Sequence, residues 1–218
     1  MKRSIIITAG GLGKRMGSEL PKQFLLLGNK PILIHTLERF YAFEPNAQFV
    51  ITLPKEWQEY WHSLLKEFHI DIPHDLAVGG QERFHSILNA LEMCTGEQIG
   101  IHDGVRPLVS LATIERCFAG LQVANAVVPV LTLKDSLRKG ILTQSESVDR
   151  GDYFLVHTPQ CFEAKTLREA YAKGYKKEFT DDASVVEAMG VRPYLVPSNE
   201  ENIKITSPID IQISSALI

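Results

Sequence analysis

Four stretches of this chain set residues that handle phosphate beside residues that turn a backbone. The first is Ala9-Gly10-Gly11-Leu12-Gly13-Lys14-Arg15-Met16-Gly17, followed at once by Pro21-Lys22-Gln23. Glycine has no Cβ and tolerates positive φ, so the backbone amides of such a loop can approach phosphate oxygens closely. Arg15 and Lys22 add two cations, suited to a triphosphate whose charge builds up as pyrophosphate departs. Two commoner nucleotide signatures fail on these residues. The dinucleotide pattern G-x-G-x-x-G started at Gly11 and Gly13 puts Met16 at its third glycine, and a Walker A loop ending at Gly13-Lys14 needs glycine at Thr8 and Ser or Thr at Arg15.

The second stretch is Gly79-Gly80-Gln81-Glu82-Arg83, which leads into a helix bearing Ser86, so that backbone groups and a hydroxyl one turn inside the helix can read the edge of a base. The third is His102-Asp103-Gly104-Val105-Arg106-Pro107. A carboxylate at a strand's carboxyl end is placed to hold Mg²⁺ or a substrate hydroxyl, and Arg106 can take a phosphate. The fourth, Asn202-Ile203-Lys204-Ile205-Thr206, reads as a short strand whose alternation turns Lys204 away from the face buried by its isoleucines. Taken alone, the first, second and fourth stretches are as readily an ordinary loop, cap or edge strand, whereas in the third Asp103 and Arg106 both fall at the expected ligand edge. The seven histidines have no metal-ligand spacing.

These residues need a frame, and the first half of the chain supplies its pattern. Short β-branched runs alternate with longer amphipathic ones, as in a parallel sheet covered by helices on both faces. Strands are expected at 4–8, 49–53, 98–102 and 126–130, and helices at 31–43, 56–68 and 82–93. The glycine loop then falls at the carboxyl end of the first strand, where open α/β sheets bind ligands. Ser207-Pro208 with Asp210 predicts a helix start, as does Thr180 ahead of Asp181 and Asp182, with Gly190 closing that helix. Residues 132–157 are too polar for a core and lack the composition of a flexible tether. They are expected to form a projecting strand pair around a Lys139-Gly140 turn, as an arm on a single domain spanning 1–218.

Composition narrows the partners. With 44% hydrophobic and 22% charged residues the 218-residue chain can bury one core, and its balance of 23 basic to 26 acidic residues, a net −3, carries no general footprint for nucleic acid or an anionic membrane. The three cysteines form no C-x-x-C pair, and Met1 to Thr8 is too short an apolar stretch for a signal peptide. A cytoplasmic protein with reduced thiols is expected.

Taken together, the blocks at 9–17, 21–23, 79–86 and 102–107, with Val148-Asp149-Arg150, Thr158-Pro159-Gln160, Thr180-Asp181-Asp182-Ala183-Ser184 and Asn202 to Thr206, resemble the methylerythritol-phosphate cytidylyltransferases in order and spacing over nearly the whole chain. The resemblance implies a Rossmann-like α/β nucleotidyltransferase fold, a twisted mostly parallel sheet flanked by helices, with a β-arm that builds a homodimer. It implies CTP phosphates on Gly11 to Gly13 with Arg15 and Lys22, the base near Ala9, Gly10, Gly80, Gln81 and Ser86, and Lys204 beside Lys22 at the α-phosphate. The polyol phosphate falls to Asp103, Arg106, Thr158 and Ser136, with Arg150 from the partner's arm, and Mg²⁺ bridges the phosphates with Asp103 as a protein ligand. The ribitol-5-phosphate cytidylyltransferases share the glycine loop and the blocks at 21–23 and 202–206, but resemble this chain less at 148–150 and 180–184. A non-catalytic nucleotide-binding module on the same fold is the alternative of another class.

Overall fold

A computed structural model describes residues 1–11 and 20–218. The first strand, β1 (Arg3–Thr8), shows what organises the rest. Ile5 and Ile7 enter one apolar cluster and Ile6 another, and all three are fully buried. A strand whose alternate side chains are both buried needs cover on both faces.

After a single 3₁₀ turn at Lys22–Phe24 and the small hairpin β2 (Leu26–Leu27) and β3 (Lys30–Pro31), the chain alternates: α1 (Ile32–Phe43), β4 (Gln48–Leu53), α2 (Gln58–Glu67), β5 (Asp75–Val78), α3 (Arg83–Met93), β6 (Gln98–Asp103), α4 (Leu111–Gly120), β7 (Ala126–Thr132). The two-stranded ribbon β8 (Leu137–Ile141) and β9 (Gln144–Val148) follows, then β10 (Phe154–Val156), β11 (Gln160–Glu163), α5 (Ala164–Tyr171), α6 (Asp182–Glu187), β12 (Tyr194–Pro197) and α7 (Pro208–Ser215). Strands β5, β4, β1 and β6 are mutually parallel, and β11 runs antiparallel between β6 and β7. Strand β12 pairs parallel along one side of β7, while β10 pairs antiparallel with its other side, beyond β11. The sheet is therefore mixed and mostly parallel. One face packs against α1, α2 and α4 through Leu37, Phe40, Trp61 and Phe118; the other packs against α3, α5 and α6 through Ile87, Leu91, Leu167 and Val186.

The strands expected from the sequence in the first half form at their predicted places. Four details differ. The residue capping α6 is Asp181, whose carboxylate accepts the Ser184 N–H at 2.9 Å; Thr180 lies one residue too early to reach it. Residues 202–206 are not a strand: they pair with no sheet edge among the described residues, and Ile205 instead donates its N–H to the Val105 carbonyl at 2.9 Å. The ribbon reverses at Leu142-Thr143, not Lys139-Gly140, because Gly140 lies within β8 opposite Ser145. Its φ is +137°, and a Cβ there would meet the Gln144 carbonyl oxygen at 2.3 Å, so the position demands glycine for close strand approach. Finally, Phe154–Val156 rejoin the main sheet beside β7, which confines the separate strand pair to 137–148.

What matters for function is register. Thr8 of β1 lies level with Thr52 of β4 and with Asp103 of β6, so the three strand ends finish together. The backbone continues that alignment, with Ala9 donating to the Thr52 carbonyl at 3.0 Å and Gly104 to the Thr8 carbonyl at 2.8 Å.

Strand β6 is held in place partly by an absent side chain. A Cβ on Gly100 would come within 2.9 Å of Phe118 Cζ and 3.4 Å of Cys161 Sγ, both in the core. Gly100→Ala should therefore cost about 1–3 kcal/mol of stability through overpacking. Urea denaturation measures it, and a wild-type midpoint would mean that Phe118 gives way freely.

Candidate functional site

The level strand ends open into a cavity of about 290 Å³. Ala9, Gly10 and Gly11 leave β1 along one wall; Gly80, Gln81 and Ser86 come from the approach to α3; Lys22, Asp103 and Lys204 contribute charge. The loop before α3 is shaped by Gly80, where a Cβ would lie 2.4 Å from that of His85. Its N–H donates to Ser86 Oγ at 2.9 Å, and the same hydroxyl donates to the Glu82 carbonyl at 3.3 Å, which ties the loop to the first turn of the helix. Across the cavity the buried Gln23 donates its Nε2 to the Ala9 carbonyl at 2.6 Å, while Lys22 Nζ donates to the Ile205 carbonyl at 3.1 Å. Lys22 thus connects the glycine side of the site to the segment carrying Lys204.

Asp103 is the electrostatic centre. Its Oδ2 accepts from Arg106 Nε at 3.0 Å and lies 3.1 Å from Lys204 Nζ, and its Oδ1 faces Arg83 Nε at 4.0 Å. Burial alone would raise this carboxyl, but Lys204, Arg83 and Arg106 outweigh it and hold it well below the usual carboxylate range. Arg83 is itself clamped: Nη1 and Nη2 each donate to the fully buried Asp182 at 2.6 Å, and Tyr171 donates to the same carboxylate at 2.7 Å. Burial opposes its charge, yet Asp182 and then Asp103 raise its pKa above the ordinary arginine value.

Beneath Asp103 lies a layer in which each partner's role is determined. His102 Nε2 contacts the Arg106 carbonyl at 3.0 Å, and a carbonyl only accepts, so this nitrogen carries the proton. Nδ1 of the neutral ring then accepts from Thr158 Oγ1 at 2.9 Å, and Thr158 Oγ1 accepts the Asp103 N–H at 3.1 Å. Arg106 Nη1 donates to the Asn202 carbonyl at 2.8 Å, and Asn202 Nδ2 donates to the Thr158 carbonyl at 2.8 Å.

Of the residues singled out from the sequence, the cavity brings together Ala9, Gly10, Gly11, Lys22, Gly80, Gln81, Ser86, Asp103 and Lys204. Arg106 and Thr158 lie buried against Asp103 and behind the lining. Ser136 and Arg150 are exposed at the base of the ribbon and do not line the cavity; Arg150 Nη1 donates to the Lys134 carbonyl of its own chain. Gly13 and Arg15 lie outside the described residues. Sequence reasoning gave no role to Arg83, Asp182, Gln23 or Thr52. Arg83 and Asp182 each stood within a motif block, and only their pairing across 99 residues reveals the clamp. Among the described residues no three His, Cys, Asp or Glu side chains gather as a metal site. Asp103, with Oδ2 held by two cations, can offer a hard cation one oxygen at most, so phosphate oxygens and water would have to complete its shell.

The histidines make this site sensitive to acid. Burial lowers His102 to about 3 and His157 to about 4. Unfolded imidazoles take up a proton near their ordinary value of about 6.5 while these two resist it in the fold, so the unfolded state binds more protons below that pH. Stability should fall as pH drops from about 6.5 towards 4 and 3, before the depressed Asp103 adds its own loss at lower pH. Urea denaturation at pH 7 and pH 5 checks the sign; equal midpoints would contradict the buried neutral rings.

Comparison with known proteins agrees with this geometry. The profile of the family IspD, 2-C-methyl-D-erythritol 4-phosphate cytidylyltransferase, matches residues 4–218. The chain is 51% identical to the enzyme of that name from Bacteroides fragilis, covering all of both chains, and 42% identical to that of Porphyromonas gingivalis, covering all of this chain and 98% of the relative. The crystal structure of the 2-C-methyl-D-erythritol 4-phosphate cytidylyltransferase from Thermus thermophilus superposes with a TM-score of 0.82 at 31% identity, covering 100% of this chain and 98% of that one. A glycine-lined cavity at level strand ends, cations converging on one buried carboxylate, and a profile match from Ser4 to the last residue lead to one assignment: the chain belongs to the 2-C-methyl-D-erythritol 4-phosphate cytidylyltransferase family.

Proposed function

We propose that the protein transfers CMP from CTP to 2-C-methyl-D-erythritol 4-phosphate and releases pyrophosphate. The observation that carries this reading is the convergence of Lys22, Lys204, Arg83 and Asp103 on the cavity that Gly10 and Gly11 enter. A phosphate monoester of the polyol is already an anionic nucleophile at neutral pH, so the reaction needs no general base. One of its oxygens attacks the α-phosphorus of CTP in line, the bond from that phosphorus to the bridging oxygen breaks, and pyrophosphate leaves with the electron pair. The protein's contribution is to position both phosphates and to stabilise the charge of the five-coordinate centre. Lys22 and Lys204 serve that centre together with Arg15, while Asp103, fixed from behind by Arg106 and Thr158, accepts from the hydroxyls of the polyol phosphate. Mg²⁺, carried mainly by the phosphates with Asp103 as its protein ligand, would neutralise the leaving group.

The base of CTP is read by Ala9, Gly10, Gly80, Gln81 and Ser86 in this proposal. Arg150 acts from a second subunit, which makes the enzyme a homodimer joined through the ribbon; Ser136, expected on the polyol phosphate but outside the cavity of its own chain, would have to reach it in the same way. The ribbon's exposure supports that arrangement: Ile141 and Leu142 are largely accessible, and Tyr153, Phe154, Leu155 and Val156 are half exposed on the segment that follows. A polar arm with apolar residues at its tip and base fits an isologous contact better than solvent.

Two measurements test the proposal. Pyrophosphate release from CTP with Mg²⁺ should depend on methylerythritol phosphate and be much slower with ribitol phosphate or with ATP. Faster turnover of ribitol phosphate would reassign the substrate and keep the chemistry. For the shared site, Lys22→Ala and Arg150→Ala homodimers should each be nearly inactive, but re-pairing them makes about half the dimers mixed, with one intact site of two, and restores roughly a quarter of wild-type activity. Mixed dimers verified by mass spectrometry but still inactive would place Arg150 outside the partner's site.

A further inference from the structure

Thr52, the last residue but one of β4, lies level with Thr8 and lines the cavity, yet its fully buried hydroxyl has no hydrogen-bond partner among the described residues. Its backbone carbonyl is engaged, accepting from Ala9 at 3.0 Å, so the orphan is the side chain. Strand alternation sets the direction. Ile51 and Leu53 belong to the cluster beneath α1, α2 and α4, whereas Val50 joins the cluster beneath α3; Thr52 therefore points towards α3, the helix whose first turn carries Ser86. Thr52 sits beside Ala77, a small neighbour on the same side of the sheet, and Ser86 across from it is occupied with Gly80 and Glu82. Neither relieves it.

A buried hydroxyl without a partner costs free energy, and valine would fill the same volume without that cost. Thr52 lines the same cavity as Ala9, Gly10, Gly80 and Ser86. The nearby backbone groups are largely engaged within the protein: Gly80 N–H is taken by Ser86, and the Ala9 carbonyl by Gln23. A flat, polar-edged ring entering here would find in Thr52 a hydroxyl that has no protein partner among the described residues.

We infer that Thr52 is a base-reading residue, whose hydroxyl hydrogen-bonds the polar edge of the pyrimidine ring of the bound nucleotide. The inference rests on the CTP reading proposed above and adds a specificity residue to it.

Calorimetric titration of the whole protein with CTP, CMP and inorganic triphosphate tests it on wild type, Thr52→Val and Thr52→Ser, with the melting temperature of each free protein recorded. Loss of one neutral hydrogen bond to the base should weaken CTP and CMP equally in Thr52→Val, by about three- to tenfold, and leave inorganic triphosphate unchanged. The free valine variant should melt at or above wild type, because the orphan hydroxyl is gone, and Thr52→Ser should bind like wild type. Equal CTP affinity in wild type and Thr52→Val overturns the inference while leaving the proposed function intact, as does a loss shared by inorganic triphosphate. Failure of wild type to bind CTP at all sinks both.

Discussion

One buried carboxylate holds this site together. Asp103 closes β6 and balances Arg106, Lys204 and the edge of Arg83 within 4.0 Å, and those cations reach it from three separate regions of the chain. Like charges gathered this closely would repel without a counter-ion between them, and in a partly dry cavity the repulsion is screened little. The carboxylate stays ionised because the cations are there, and the cations stay together because it is ionised. Asp182 does the same for Arg83 further from the cavity, fastening it by two nitrogens while Tyr171 fills a remaining lone pair.

That arrangement depends on the sheet. Parallel β1, β4 and β6 are buried on both faces, so a slip of register would send each isoleucine and valine out of the cluster it packs in and into the one on the opposite face. The same constraint that aligns the core brings Thr8, Thr52 and Asp103 level at the carboxyl edge. Helices then deliver what strands cannot: α3 begins with Arg83 and carries Ser86 one turn in, and the segment before α7 brings Lys204 back beside Asp103. The segment from 202 to 206 manages this without being a strand, anchored through Asn202 and Ile205 to the loop that follows β6.

The ribbon follows a different physical logic. Among the described residues its two strands pair only with each other, they are mostly exposed, and neither Ser136 nor Arg150 lines the cavity of its own chain. A two-stranded hairpin is marginal alone in water. This one leaves Ile141 and Leu142 uncovered at its tip.

Much of this was legible from residue order alone. Alternating β-branched and amphipathic runs specified the parallel sheet because a strand buried on both faces is apolar throughout, and the glycine blocks marked the ligand edge because backbone without Cβ atoms can approach phosphate closely. The Ser207-Pro208 start was equally local: Asp210 accepts the N–H groups of Thr206 and Ser207 at 2.8 Å, a contact written within five residues. What only the tertiary structure decided were the long-range partners. Arg83 meets Asp182 across 99 residues, Gln23 turns inward onto Ala9, and His102 is pinned as a neutral ring by Thr158 from 56 residues away. Nothing in the local sequence distinguishes Thr52 from any other strand threonine. Periodicity and turn chemistry are properties of neighbours along the chain, whereas charge pairing and an unmet hydroxyl are properties of neighbours in space, and the fold alone chooses those.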